Sequence, residues 1–161
     1  MAAIEFALVS SILVFLLTNV IDLGIYTASR IQVENAAQMG AQAAWQTCGV
    51  GSLPATINCP GLGAAVALAV QSTSLGTNVA LKKGSPSEGY YCVDGTNSLT
   101  YVAAVSGSEP SSCASVGNSS SVPGDYVLVE VNYTYASLFP GITIASTLPS
   151  LMTKAAWMRL G

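Results

Sequence analysis

AAIEFALVSSILVFLLTNVIDLGIYTASRIQVENAAQMGAQAAWQT, residues 2–47, contains no proline and changes character halfway along. Residues 6–21 carry no charge and are bracketed by Glu5 and Asp22. From Ile25 onward, Ala28, Val33, Ala36, Ala37, Gly40, Ala41 and Ala44 interleave with Arg30, Gln32, Glu34, Asn35, Gln38 and Gln42 at helical spacing. The stretch reads as one helix, about 70 Å long at about 1.5 Å per residue. Gly24 is its expected weak point, since glycine costs about 1 kcal/mol in a helix interior. A helix apolar all round in its first half and amphipathic in its second needs two environments. Residues 1–26 want lipid or other helices, and 27–161 form a globular head that includes the amphipathic half. The uncharged run is shorter than the roughly 20 residues that cross a bilayer core, and 23–26 supply the remainder.

The polar residues within this helix divide by spacing. Ala36, Gly40 and Ala44 form a small-residue row that lets a neighbouring element approach the backbone closely. Arg30 and Glu34 are placed to pair one turn apart. Ser10, Ser11, Thr18 and Asn19 are expected to bond within the helix, and Asp22 to sit hydrated at headgroup level. Glu5 is the anomaly. No Lys or Arg precedes Arg30, so the apolar run begins with an acid and lacks the basic flank of a secretory signal. Either Glu5 stays hydrated at the membrane surface or a partner neutralises it, because a bare carboxylate in hydrocarbon is costly.

Composition narrows the function. Only five basic and eight acidic residues occur in 161, giving a net charge of -3. That balance excludes nucleic acid, which is bound through clustered Lys and Arg. Histidine is absent, removing the commonest general base and metal ligand. No phosphate loop, paired-carboxylate motif or nucleophile elbow appears. No catalytic, metal or cofactor-binding residue is therefore assigned, and an enzyme is not expected.

Cys48, Cys59, Cys92 and Cys113 are even in number and lack zinc spacing, which points to disulfides in an oxidising compartment. Three pairings are possible. The sequential one, Cys48–Cys59 and Cys92–Cys113, is favoured because each pair brackets a Gly/Pro/Ser-rich loop. Beyond Cys59, residues 64–75 read as a short second helix, and 77–81, 90–93 and 99–105 as strands, the last two joined at Asp94-Gly95. DYVLVEVNYTY (125–135) alternates cleanly, with Val127, Val129, Val131, Tyr133 and Tyr135 on one face. Leu151–Arg159 reads as a final strand, with a helical turn as the alternative. The fold class is α+β: a long protruding N-terminal helix whose second half packs on a small antiparallel sheet, with a short second helix.

An uncharged apolar helix with Glu at 5 and Phe at 6, running into an amphipathic helix and then a stapled sheet, resembles the type IV pilin superfamily. AAIEFALV (2–9) is similar to the processed start of TadE-like pilins and pseudopilins from tight-adherence pilus systems. IDLG (21–24), ASRIQVENAAQMGAQAA (28–44) and the terminal AAWMR fit the same pattern. The resemblance implies that a leader ending in Gly is removed before Met1 by a prepilin peptidase, leaving an amine open to N-methylation. It implies a helical homo-oligomeric filament assembled through the N-terminal helices, with Met1, Glu5 and Phe6 at the assembly contact. Glu5 would then meet a neighbour's amine. The subunit would wait in the inner membrane, engage the pilus assembly machinery and end in an extracellular filament that supports attachment. A minor TadE-like pseudopilin that primes or caps a pilus, and a monomeric membrane-anchored binding module, are the alternatives.

Overall fold

Helix α1 runs unbroken from Ala2 to Thr47. The structure, a computed structural model, describes residues 2–161, with side chains from Ile4 onward. Burial along α1 follows the change in sequence character. Among 4–21 no residue is buried, whereas Ser29, Val33, Ala36, Ala37, Gly40, Ala41, Ala44 and Cys48 form a buried stripe at three- and four-residue spacing. The small row works as a contact. A methyl group added at Gly40 would lie 2.8 Å from Val70 Cγ2 and 3.0 Å from Val129 Cγ1. Close approach of both a helix and a strand at this point is why glycine fits there.

A short turn α2 (Ala55–Asn58) follows, within the loop bounded by Cys48 and Cys59. Next comes α3 (Leu62–Gln71). The second helix therefore starts two residues earlier and stops four earlier than its expected 64–75. Gly61, in the left-handed region at φ 93°, turns the chain into it. Ser72 and Thr73 end it by donating their hydroxyls to the carbonyls of Ala69 and Val70. Its buried residues Leu62, Val66 and Val70 repeat every four, which is the stripe that meets α1.

The five strands are β1 (Val79–Leu81), β2 (Ser87–Val93), β3 (Leu99–Ala104), β4 (Gly124–Thr134) and β5 (Leu151–Arg159), all paired antiparallel. Long β4 is the spine. Along one edge it pairs with β1 at 131–133 and with β2 at 124–128, and along the other with β5 from 126 to 134. Val127, Val129 and Val131 are fully buried against the helices, as the alternation requires. Tyr91, Tyr101, Tyr126 and Trp157 pack edge-to-face on the opposite face. The last segment is a strand, not a helical turn. The β2–β3 turn is held by Asp94, whose Oδ1 accepts from the amides of Thr96 at 2.8 Å and Ser98 at 3.0 Å. The Thr96 hydroxyl, which donates to the same oxygen at 2.6 Å, and then these two amides draw its carboxyl down to about 2.

Cys48 is joined to Cys59 and Cys92 to Cys113, with Cα separations of 5.8 and 5.7 Å. The first closes the turn after α1. The second ties β2 to the long polar loop before β4. Glu34 does not pair with Arg30. It meets Lys154 of β5 at 3.1 Å, an exposed contact of small energetic weight.

Candidate functional site

The first half of α1 presents apolar side chains outward on every side. Phe6 is 75% exposed and Ile4 69%, and Leu8, Val9, Ile12, Leu13, Val14, Phe15, Leu16, Leu17, Val20 and Ile21 are exposed with them. Among the described residues this is the one helix long and apolar enough to cross a membrane, and none of its apolar window is buried within the chain. Ser10, Ser11 and Thr18 turn their hydroxyls back to carbonyls three residues earlier, and Asn19 Nδ2 donates to Phe15 O. The helix thus hides its own polar groups, as a lipid-facing or helix-packing surface requires. Glu5 is exposed and makes no hydrogen bond or ion pair among the described residues. Met1 lies outside them, so its expected contact with Glu5 is not described.

Asp22 is where sequence reading erred. It is fully buried rather than hydrated at a headgroup. Its Oδ1 accepts from Tyr135 Oη at 2.6 Å and from the Leu138 amide at 3.0 Å. Its Oδ2 accepts from Ser137 Oγ at 2.5 Å and from the buried Thr143 hydroxyl. Four donors from the segment after β4 therefore surround one carboxylate on the helix. One turn earlier, Asn19 Oδ1 accepts the amide of Ile144 at 3.0 Å. Burial first, then the bond to Asp22, pushes the Tyr135 phenol up to about 12, so it remains a donor at any ordinary pH.

A second acidic group lies at the far end of the sheet. Glu88 of β2 caps α2, accepting the amides of Ala55 at 2.7 Å and Thr56 at 2.6 Å. Asp125, close by at the start of β4, is buried with Oδ1 unpartnered. Burial, then the charges of Glu88 and Glu109, pushes its carboxyl up to about 7. Among the described residues no cluster of three or more His, Cys, Asp or Glu is placed to hold a metal ion.

A long helix with its apolar half bare and its amphipathic half laid on an antiparallel sheet defines a pilin-like α+β protein. Residues 1–42 match the sequence model of the family described as TadE-like protein. The match is confined to the N-terminal helix, and the head beyond it lies outside the matched residues. No curated protein and no solved structure matches the chain.

Proposed function

We propose that the chain is a structural subunit of a Tad-type pilus, held in the membrane by residues 1–26 and built into a helical filament through that same helix. The observation that carries this reading is the outward apolar surface from Ile4 to Ile21, where none of the described residues is buried. A surface of that extent calls for lipid before assembly and for other helices after it. Packed among neighbouring helices, Glu5 would need a cation, and the α-amino group of an adjacent subunit's processed N-terminus supplies one. Removing one partner of such a pair leaves an uncompensated buried charge. Glu5→Ala is therefore expected to fold its head normally yet fail to enter filaments, as read by immunogold electron microscopy of sheared pili. Filaments containing the variant at wild-type density would overturn the role of Glu5.

The TadE-like match also favours a second reading, a minor pseudopilin that primes or caps the fibre. The same immunogold images separate the two. Label along the whole shaft indicates a principal subunit, and label confined to the tip or the cell envelope indicates a minor one.

A further inference from the structure

We propose that the loop joining β4 to β5 is a second membrane-contacting element, which seats Leu138, Ile142 and Ile144 in the lipid boundary beside the end of the apolar helix. The inference rests on the reading of α1 as a membrane anchor and adds to it a part of the head. Residues 136–153 carry no charge. The loop is fixed to α1 at one level, by Ile144 N to Asn19 Oδ1 at 3.0 Å and by Leu138 N to Asp22 Oδ1 at 3.0 Å. From Ile4 to Asp22 the helix rises about 27 Å, close to the roughly 30 Å of a bilayer core. When the apolar span fills that core, the tether therefore lies at its edge, and so does the loop.

Leu138, Ile142 and Ile144 point outward there, at 56%, 59% and 66% exposure. One exposed apolar side chain is ordinary, but three on an uncharged loop continuous with a bare apolar helix form a boundary surface. The loop backbone suits such a place. The amides of Ile142 and Thr143 bond to Phe139 O, that of Ser146 to Thr143 O and that of Leu148 to Ala145 O, so they need little from water. Charge complements the arrangement. Arg30, the first cation beyond the span, lines a groove of about 570 Å³ with Leu23, Leu148, Leu151 and Lys154. Helical side chains lean toward the N-terminus, which aims Arg30 back toward the membrane, where a guanidinium matches lipid phosphate. That combination favours a phospholipid surface over a protein partner.

The test uses the full chain in vesicles of phosphatidylcholine and phosphatidylglycerol whose acyl chains are brominated near the headgroup end. The four native cysteines are in disulfides, so Ile142→Cys, Phe15→Cys and Val122→Cys can each be labelled singly with a polarity-sensitive fluorophore. Leu138→Cys reads the same loop should Ile142→Cys fail to fold. The expected result is blue-shifted, quenched emission at Ile142 and Phe15, with no quenching at Val122 on the distant polar loop. Quenching at Phe15 with Ile142 behaving like Val122 overturns the inference and leaves the anchor standing. No quenching at Phe15 overturns the anchor and the inference together. A label at Ile142 that is shielded only when lipid-free subunits assemble also overturns it, and marks the loop as a contact between copies.

Discussion

Tyr135→Phe removes one oxygen and leaves the ring packed edge-on against Tyr26, with centroids 5.1 Å apart. The lost hydroxyl donates at 2.6 Å to Asp22 Oδ1 and lies 3.1 Å from the Asp22 carbonyl, in a residue only 5% exposed. A hydrogen bond with a charged partner contributes roughly 1.5–3 kcal/mol, and a buried carboxylate left one donor short cannot recover it from water, so about 2 kcal/mol should be lost. For a head of this size that lowers Tm by about 7 °C. The assay is thermal unfolding of the full chain in detergent micelles, followed by the fluorescence of Trp45 and Trp157. Because the phenol is held up at about 12, the loss should be equal at pH 5 and pH 9. Tyr26→Phe is the control. Its hydroxyl is 3.5 Å from Pro149 O, beyond the usual hydrogen-bond range, and the substitution should stay within about 0.5 kcal/mol of wild type. If Tyr135→Phe melts with Tyr26→Phe, the carboxylate cluster does not fasten the loop to the helix.

Two further substitutions probe the packing and the buried acid. Gly40→Ala drives a methyl group onto Val70 and Val129, an overpacking of about 1–3 kcal/mol set against about 1 kcal/mol of helix propensity. A net loss of about 1 kcal/mol is expected in the same melt, whereas Gly24→Ala, with open space around it, should gain about 1 kcal/mol; a Gly40→Ala protein that gains as much as Gly24→Ala would refute the close contact. For Asp125, the folded carboxyl is raised to about 7 while the unfolded one titrates near 4. Between those values the unfolded chain releases a proton that the fold retains, so stability falls as pH rises from about 4 to about 7 and then levels off. Asp125→Asn should abolish that slope in urea melts and unfold at higher urea than wild type at pH 8. A variant that keeps the wild-type slope would show that another group sets it.

The helix and the sheet were legible because their signals are local. The uncharged run to Ile21, the stripe from Val33 to Ala44 and the alternation from Tyr126 to Tyr135 each fall within one element, where periodicity fixes burial. Tyr135 shows the limit of that method. Its place on the inner face was evident, yet its hydroxyl's partner lies 113 residues away, and no pattern within β4 indicates it. The stretch around Ile142–Leu148 reads only as a connector, because hydroxyls and small residues announce a turn equally well whether or not they surround an acid. Glu88 and Asp125 are far apart in the chain, and neither segment signals the other. They meet only because β2 and β4 pair with Tyr90 opposite Asp125, a register that sequence spacing does not encode.

The apolar half of helix α1 therefore carries two acids, Glu5 and Asp22, whose needs are met in different ways. Asp22 receives four donors from its own chain, so its charge is accommodated in the single subunit and fixes the angle at which the helix leaves the head. Glu5 stands among exposed apolar residues with no bond among those described, and we propose that a neighbouring subunit satisfies it. The two positions should accordingly separate by experiment. Asp22→Ala is expected to speed hydrogen exchange at the amides of Leu138 and Ile144 in the isolated subunit, because both are pinned through this junction. Glu5→Ala should leave that exchange unchanged and act only where subunits meet. Faster exchange at Leu138 in Glu5→Ala would mean that the two ends of the apolar half are coupled, and that the helix does not behave as a rigid rod between a head that is finished and an interface that is not.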